Sequence, residues 1–142
     1  MAYNLLILDK SLEEYWVQDP KREEKYNDRK NLAEMESKFL EARGHKVTLC
    51  FGLDNMTEEL FSKQDCVLVH PDFKNPKTQA ILDFHHSYPH VGLIITPGGY
   101  RRDDEQRTLQ KDFDNVYSLE KPYLIEEFFS AIETVIQEAK SR

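Results

Sequence analysis

The sequence predicts an α/β fold: a parallel five-stranded sheet in the order 2-1-3-4-5, covered by helices on both faces as a three-layer sandwich. Three observations lead there. Short continuous apolar runs (Leu5, Leu6, Ile7, Leu8; Val67, Leu68, Val69; Leu93, Ile94, Ile95) read as strands buried on both faces. Segments with apolar residues at helical spacing lie between and after them, and Gly44, Pro89 and Pro97-Gly98-Gly99 punctuate the alternation. Repeated strand–helix alternation requires right-handed crossovers and hence a parallel sheet.

Leu5 through Leu8, ending at Asp9, gives the first strand. After a polar stretch, Leu32, Met35, Phe39 and Leu40 recur at helical spacing up to Gly44, with Asp19-Pro20 as an early cap and first-turn pair. Residues 47–51 form the second strand, and 57–62 a short helix carrying Leu60 and Phe61. The β-branched run after Cys66 is the third strand. Pro76 opens a helix through Ala80, Ile81, Leu82 and Phe84, and Pro89 closes it. The fourth strand runs into Thr96 and the Pro97-Gly98-Gly99 loop, and a weak helix is expected between Asp103 and Phe113. Residues 116–119 make the fifth strand, and Leu124, Phe128, Ile132 and Val135 give the last helix its apolar stripe. The whole is a flavodoxin-like (βα)5 arrangement read as one domain over 1–142, with an insertion-like segment at about 11–29 that carries Tyr15, Trp16, Val17 and Tyr26.

Composition narrows the function. With 142 residues, a net charge of -7 and 32% charged residues, the chain reads as one acidic, soluble domain. Phosphate backbones would be repelled, and the basic residues Lys21, Arg22, Lys25, Arg29 and Lys30 are interleaved with Glu23, Glu24 and Asp28, so no nucleic-acid partner is expected. No run approaches the roughly 20 apolar residues of a membrane span, and no signal peptide is legible, so no membrane partner and a cytoplasmic location are expected. The two cysteines, Cys50 and Cys66, sit inside strand candidates and read as buried thiols.

In a 2-1-3-4-5 sheet the functional crevice lies at the carboxyl ends of the central strands. The residues to read there are Asp9, Lys10 and Ser11, then His70 to Phe73, Thr96 to Tyr100, and Glu120 to Tyr123. Thr96 after strand four, Lys121-Pro122-Tyr123 after strand five and an amphipathic last helix stand at intervals at which the chain resembles the CheY-like response-regulator receiver domain over nearly its whole length. Lys121-Pro122 alone would be an ordinary turn before a helix. The resemblance implies that Thr96 and Lys121 face a phosphoryl or anion pocket, where a hydroxyl and an ammonium converge. It also implies a role in two-component phosphorelay signalling, with a histidine kinase or an output protein as partner.

The acidic half of the pocket departs from that family. Counting along the third strand from Asp65, His70 occupies the phosphoacceptor position, and Asp72, two residues on, is the nearest carboxylate. The acidic pair after strand one is reduced to Asp9 followed by Lys10. Mg²⁺ prefers carboxylate oxygens in octahedral geometry, and an ammonium in place of one carboxylate removes a ligand and adds repulsion. The expectation is a pseudo-receiver: no cofactor, no enzymatic activity, and action by protein–protein contact through the face of the 103–113 segment, the fifth strand and the last helix. Tyr100, Arg101, Arg102, Tyr123 and Glu127 would lie on that face. Two alternatives stand beside it. In one, Asp72 or His70 accepts phosphate with Mg²⁺ held by Asp9 and Asp72, helped by Glu13 or Glu14; in the other, Thr96, Lys121 and His70 bind a small anion or ligand.

Other signals reduce to structure. His85, His86 and His90 near Asp83 read as solvated surface rather than a zinc site, because Pro89 breaks any shared helical face. No cysteine sits on a glycine-flanked elbow as in glutamine amidotransferases, and no Ser/Thr/Gly-rich phosphate loop follows strand one as in flavodoxins. An aromatic on strand five would couple to Thr96 in a receiver; the spacing from Lys121 gives Ser118, with Tyr117 adjacent.

Overall fold

A computed structural model describes residues 2–9, 33–51, 55–70, 76–95, 116–118 and 124–141. Five strands, β1 (Asn4–Asp9), β2 (Lys46–Phe51), β3 (Cys66–His70), β4 (Gly92–Ile95) and β5 (Val116–Ser118), form one sheet in the order β2-β1-β3-β4-β5. Every pairing is parallel, as the apolar runs require. Among the described residues four helical stretches accompany them: α1 (33–42), α2 (Glu58–Ser62), α3 (Pro76–Ser87) and α4 (Ile125–Lys140). The Asp19-Pro20 cap, Leu32, the 11–29 segment, the Pro97-Gly98-Gly99 loop, the helix expected at 103–113 and Leu119 lie outside the described residues.

Side chains alternate across the sheet with period two, so the continuous apolar runs split into two cores. Leu5, Ile7, Cys66, Leu68 and Ile94 face α1 and α4, where Leu40, Phe128, Ile132, Val135 and Ile136 meet them. Leu6, Leu8, Val67, Val69, Leu93 and Ile95 face α2 and α3, where Phe61, Ile81 and Leu82 meet them. Each such side chain contributes about 1.5–3 kcal/mol when fully buried, which ties both helical layers to the sheet.

Cap chemistry sets the helix ends. Thr57 Oγ1 accepts the Leu60 N–H at 3.1 Å and starts α2. Past α1 the chain turns at Gly44, whose φ of 92° is costly for a residue with a Cβ. The amino edge of the sheet is tightly stitched. Asn4 N–H donates to Asp65 Oδ2 at 2.7 Å, and Asp65 N–H donates back to the Asn4 carbonyl, also at 2.7 Å. Gly92 N–H donates to the Asp65 carbonyl at 2.9 Å. One residue thus joins the starts of β1, β3 and β4, leaving the carboxyl edge for chemistry.

Three sequence expectations are corrected. On α1 the buried residues are Ala33, Glu36, Ser37 and Leu40, whereas Met35 and Phe39 are exposed. Phe39 and Leu40 are about 100° apart around the axis, and with Leu40 turned to the sheet Phe39 points outward. Leu124 is exposed as well: it is the N-cap of α4 with extended backbone, so the helical period that buries Phe128, Ala131, Ile132, Val135, Ile136 and Ala139 does not reach it. His85 is buried, because it follows Ile81 by one turn on the inward stripe of α3, whereas His86 and His90 are exposed as expected.

Candidate functional site

Parallel pairing puts the last residues of all five strands along one edge. At its centre β1 ends in Asp9 and β3 ends in His70, and the register makes these two residues direct partners. Neighbouring strands run about 4.8 Å apart, so a carboxylate residue and an imidazole residue occupy adjacent backbone positions at one level. Their neighbours one step inward, Leu8 and Val69, are buried in the α2–α3 core, which anchors both strand ends. β4 ends at Ile95, level with Val69 on one side and Ser118 on the other. The register therefore sets Ser118, rather than Tyr117, level with the residue that precedes Thr96 in the chain.

Of the residues expected at the pocket, Asp9 and His70 are brought together. Lys10, Asp72, Thr96 and Lys121 lie outside the described residues, as do Glu13, Glu14, Tyr100, Arg101, Arg102 and Tyr123. Glu127 is exposed on the first turn of α4. Among the described residues no group of three or more His, Cys, Asp or Glu side chains is gathered to hold a metal ion, and no helix is long and apolar enough to cross a membrane.

The thiols add no nucleophile to the edge. Cys50 is level with Leu8, one step inside the edge, and burial pushes its thiol up. Cys66 begins β3 at the opposite edge; burial, and then the neighbouring Asp65 charge, drive its thiol far above the ordinary range. Neither is joined in a disulfide and both are buried, and a thiolate is the reactive form that such surroundings suppress.

Among the described residues, a histidine with a shifted titration stands at the amino edge. Tyr3 N–H donates to His45 Nδ1 at 3.2 Å, and the two rings stack with centroids 5.4 Å apart. Burial, reinforced by the Arg43 charge and opposed by Glu133, holds the His45 imidazole below its ordinary value. These groups had no signal in the sequence beyond single polar residues flanking strands.

No family model and no curated protein matches the chain. Solved structures do. The chain is similar to a response regulator receiver domain protein (CheY-like) from Methanospirillum hungatei, with a TM-score of 0.70 and 14% identity over 99% of this chain and 98% of that one. A signal receiver domain of an HD domain-containing protein from Pseudomonas fluorescens matches with a TM-score of 0.68 and 16% identity over the whole of both chains, 100% each. A response regulator protein from Burkholderia pseudomallei, solved with a phosphorylated aspartic acid, a calcium ion and citrate, matches at 18% identity and a TM-score of 0.63, over 97% of this chain and 71% of that one. Together with the strand order and the helices on both faces, these likenesses identify the fold of this chain as that of the CheY-like receiver domains.

Proposed function

We propose that the chain is a receiver-like signal-transduction module with a degenerate phosphorylation site, acting by contact with a signalling protein rather than as an enzyme. The observation that carries this reading is the pairing of Asp9 with His70 at the centre of the carboxyl edge. Receivers use an aspartate as acceptor at the end of the third strand, and here that strand ends in an imidazole residue. The next residue after Asp9 is Lys10, so the sequence offers an ammonium where a second acid would serve the metal.

The donor set does not suit Mg²⁺. A hard cation that holds near-octahedral geometry wants oxygen ligands, and one carboxylate beside an imidazole and an ammonium provides too few. No phosphotransfer step is derived through that ion. Thr96 and Lys121 remain as the basic and hydroxylic half of an anion pocket, and a salt bridge between Lys10 and Asp9 would lock the acidic half without metal.

The structural likeness to receiver domains over nearly the full chain supports one module spanning 1–142, and a two-component pathway as its setting. A histidine kinase or an output protein is the proposed partner, and the cytoplasm the proposed location. Titration of the purified protein with Mg²⁺ and then beryllofluoride, followed by amide NMR, tests the reading. The expected result is silence at Asp9, Asp72, Thr96 and Lys121 up to about millimolar ligand, the range of weak divalent-ion sites. Coherent shifts at those positions would restore Mg²⁺-dependent phosphorylation on Asp72 or His70. Shifts with an anion alone, confined to Thr96, Lys121 and His70, would point to an anion-binding module.

A further inference from the structure

His45 sits where three elements meet at the amino edge of the sheet. Its backbone N–H donates to the Leu40 carbonyl at 3.2 Å, closing the turn out of α1. The next residue, Lys46, opens β2 and donates its N–H to the Tyr3 carbonyl at 2.9 Å. The imidazole accepts the Tyr3 N–H through Nδ1 and stacks on the Tyr3 ring. Tyr3 in turn is the link to α4. Its ring is buried in the core shared with Phe128, Ile132 and Ile136. The Lys140 ammonium lies over that ring, 5.0 Å from its centroid, and Gln137 Nε2 donates to the Tyr3 hydroxyl at 3.5 Å. One imidazole therefore holds the residue that joins the start of β1 to the last turns of α4.

That hold requires an unprotonated Nδ1, and His45 is only half-buried, so solvent protons reach it. The charges about the ring come from every element packed there. They are the amino group of the chain, Arg43 in the turn after α1, Lys46 on β2, and Glu133 and Lys140 on α4. Glu133 is the carboxylate that favours a proton on the ring, whereas Glu41 is engaged by the Ser37 hydroxyl at 3.3 Å and Asp65 by the Asn4 N–H. The face of Tyr3 would attract an imidazolium, but Lys140 already draws on that ring. A proton on His45 is therefore poorly compensated. Loosening that begins at Tyr3 stops at the next residue, because Asn4 and Asp65 exchange two bonds of 2.7 Å. We infer that His45 is a proton-operated clasp: neutral, it holds Tyr3 against the last turns of α4, and protonated it frees both while the sheet from Asn4 onward stays paired. The inference stands on the amino edge and is independent of the chemistry at Asp9 and His70.

Heteronuclear NMR of the whole chain from about pH 8 to about pH 5, which spans the histidine range, tests it. The backbone amides of Tyr3 and Lys46 and the side-chain amide of Gln137 should shift with the same midpoint as the His45 ring, while the amides of Leu68 and Ile94 stay in place. Exchange at the Tyr3 amide, corrected for the intrinsic effect of pH, should quicken by about two- to tenfold, the range that one neutral hydrogen bond sets. Glu133→Gln, which removes the opposing carboxylate, should lower the midpoint. His45→Asn keeps an acceptor oxygen that does not titrate, and should leave Tyr3 unmoved across the range. Far-UV circular dichroism checks that each variant is folded, and the titration of the parent decides the matter where one is not. A His45 ring that titrates with no response at Tyr3 and Gln137 overturns the inference. A parent in which Leu68 and Ile94 move together with Tyr3 overturns it equally, because the change then belongs to the whole molecule, as does a ring that takes no proton before the chain unfolds.

Discussion

Gly92 and Val135 approach so closely that a Cβ on residue 92 would lie 2.5 Å from Val135 Cγ1. The start of β4 thus fixes how near α4 can sit to the sheet. Gly92→Ala should destabilise the protein by about 1–3 kcal/mol through overpacking, read as a lower urea midpoint with an unchanged m-value. Gly92→Ala with Val135→Ala should recover part of the loss, because the clashing methyl is gone.

Asp65 binds three strand starts, through its carboxylate to Asn4 N–H and through its backbone to Asn4 and Gly92. Asp65→Ala removes only the carboxylate and leaves the Asn4 N–H without its acceptor. Because this bond is exposed and water can replace the acceptor, a loss of about 0.5–1.5 kcal/mol is expected in urea unfolding. Hydrogen exchange at the Asn4 amide should accelerate in the same variant.

His45 makes stability depend on pH with a definite sign. Its folded-state value is depressed from 6.5, so in the window just below 6.5 the unfolded chain binds more protons than the folded one. The contribution is therefore fully present above 6.5 and is lost as pH falls through the folded value. The first cause is burial of the ring, which disfavours its charged form, and a protonated Nδ1 would also cease to accept the Tyr3 N–H. NMR titration of the His45 ring should give a midpoint below 6.5. A His45→Gln variant should show a flatter dependence of urea midpoint on pH in that window than the parent.

The strand-end reading predicts a gain of function. His70→Asp together with Lys10→Asp should produce Mg²⁺-dependent beryllofluoride binding where the parent shows none, because the pair restores both carboxylates. His70→Asp alone should respond weakly, with Lys10 still repelling the ion. If the parent itself responds, the degenerate-site proposal fails.

Sheet order and strand positions were legible because strands covered on both faces leave unbroken apolar runs, and Leu5 to Leu8, Val67 to Val69 and Leu93 to Ile95 are such runs. The rotation of α1 was not legible. Met35 and Phe39 offered one stripe and Ala33 and Leu40 another, and only packing against the sheet decides between them. Glu36 and Ser37, polar yet buried on that helix, favour the wrong stripe in any reading by hydropathy. Pro89, which breaks any face shared by His85, His86 and His90, makes all three read as surface, whereas the spacing of His85 from Ile81 turns it inward. At the carboxyl edge, counting along β3 leads to His70 as the strand end, and the buried residues beneath it fix the register that pairs it with Asp9.

The two sequestered thiols have a practical corollary. While the chain is folded, both Cys50 and Cys66 are shielded from oxidants and alkylating reagents, so changes in thiol redox poise should leave these two side chains untouched. Once the sheet opens, both become reactive together. Cys66, fully enclosed at the start of a central strand, should be labelled only as fast as the whole molecule opens. Timed alkylation of that one side chain would serve as a built-in clock for the lifetime of the native state.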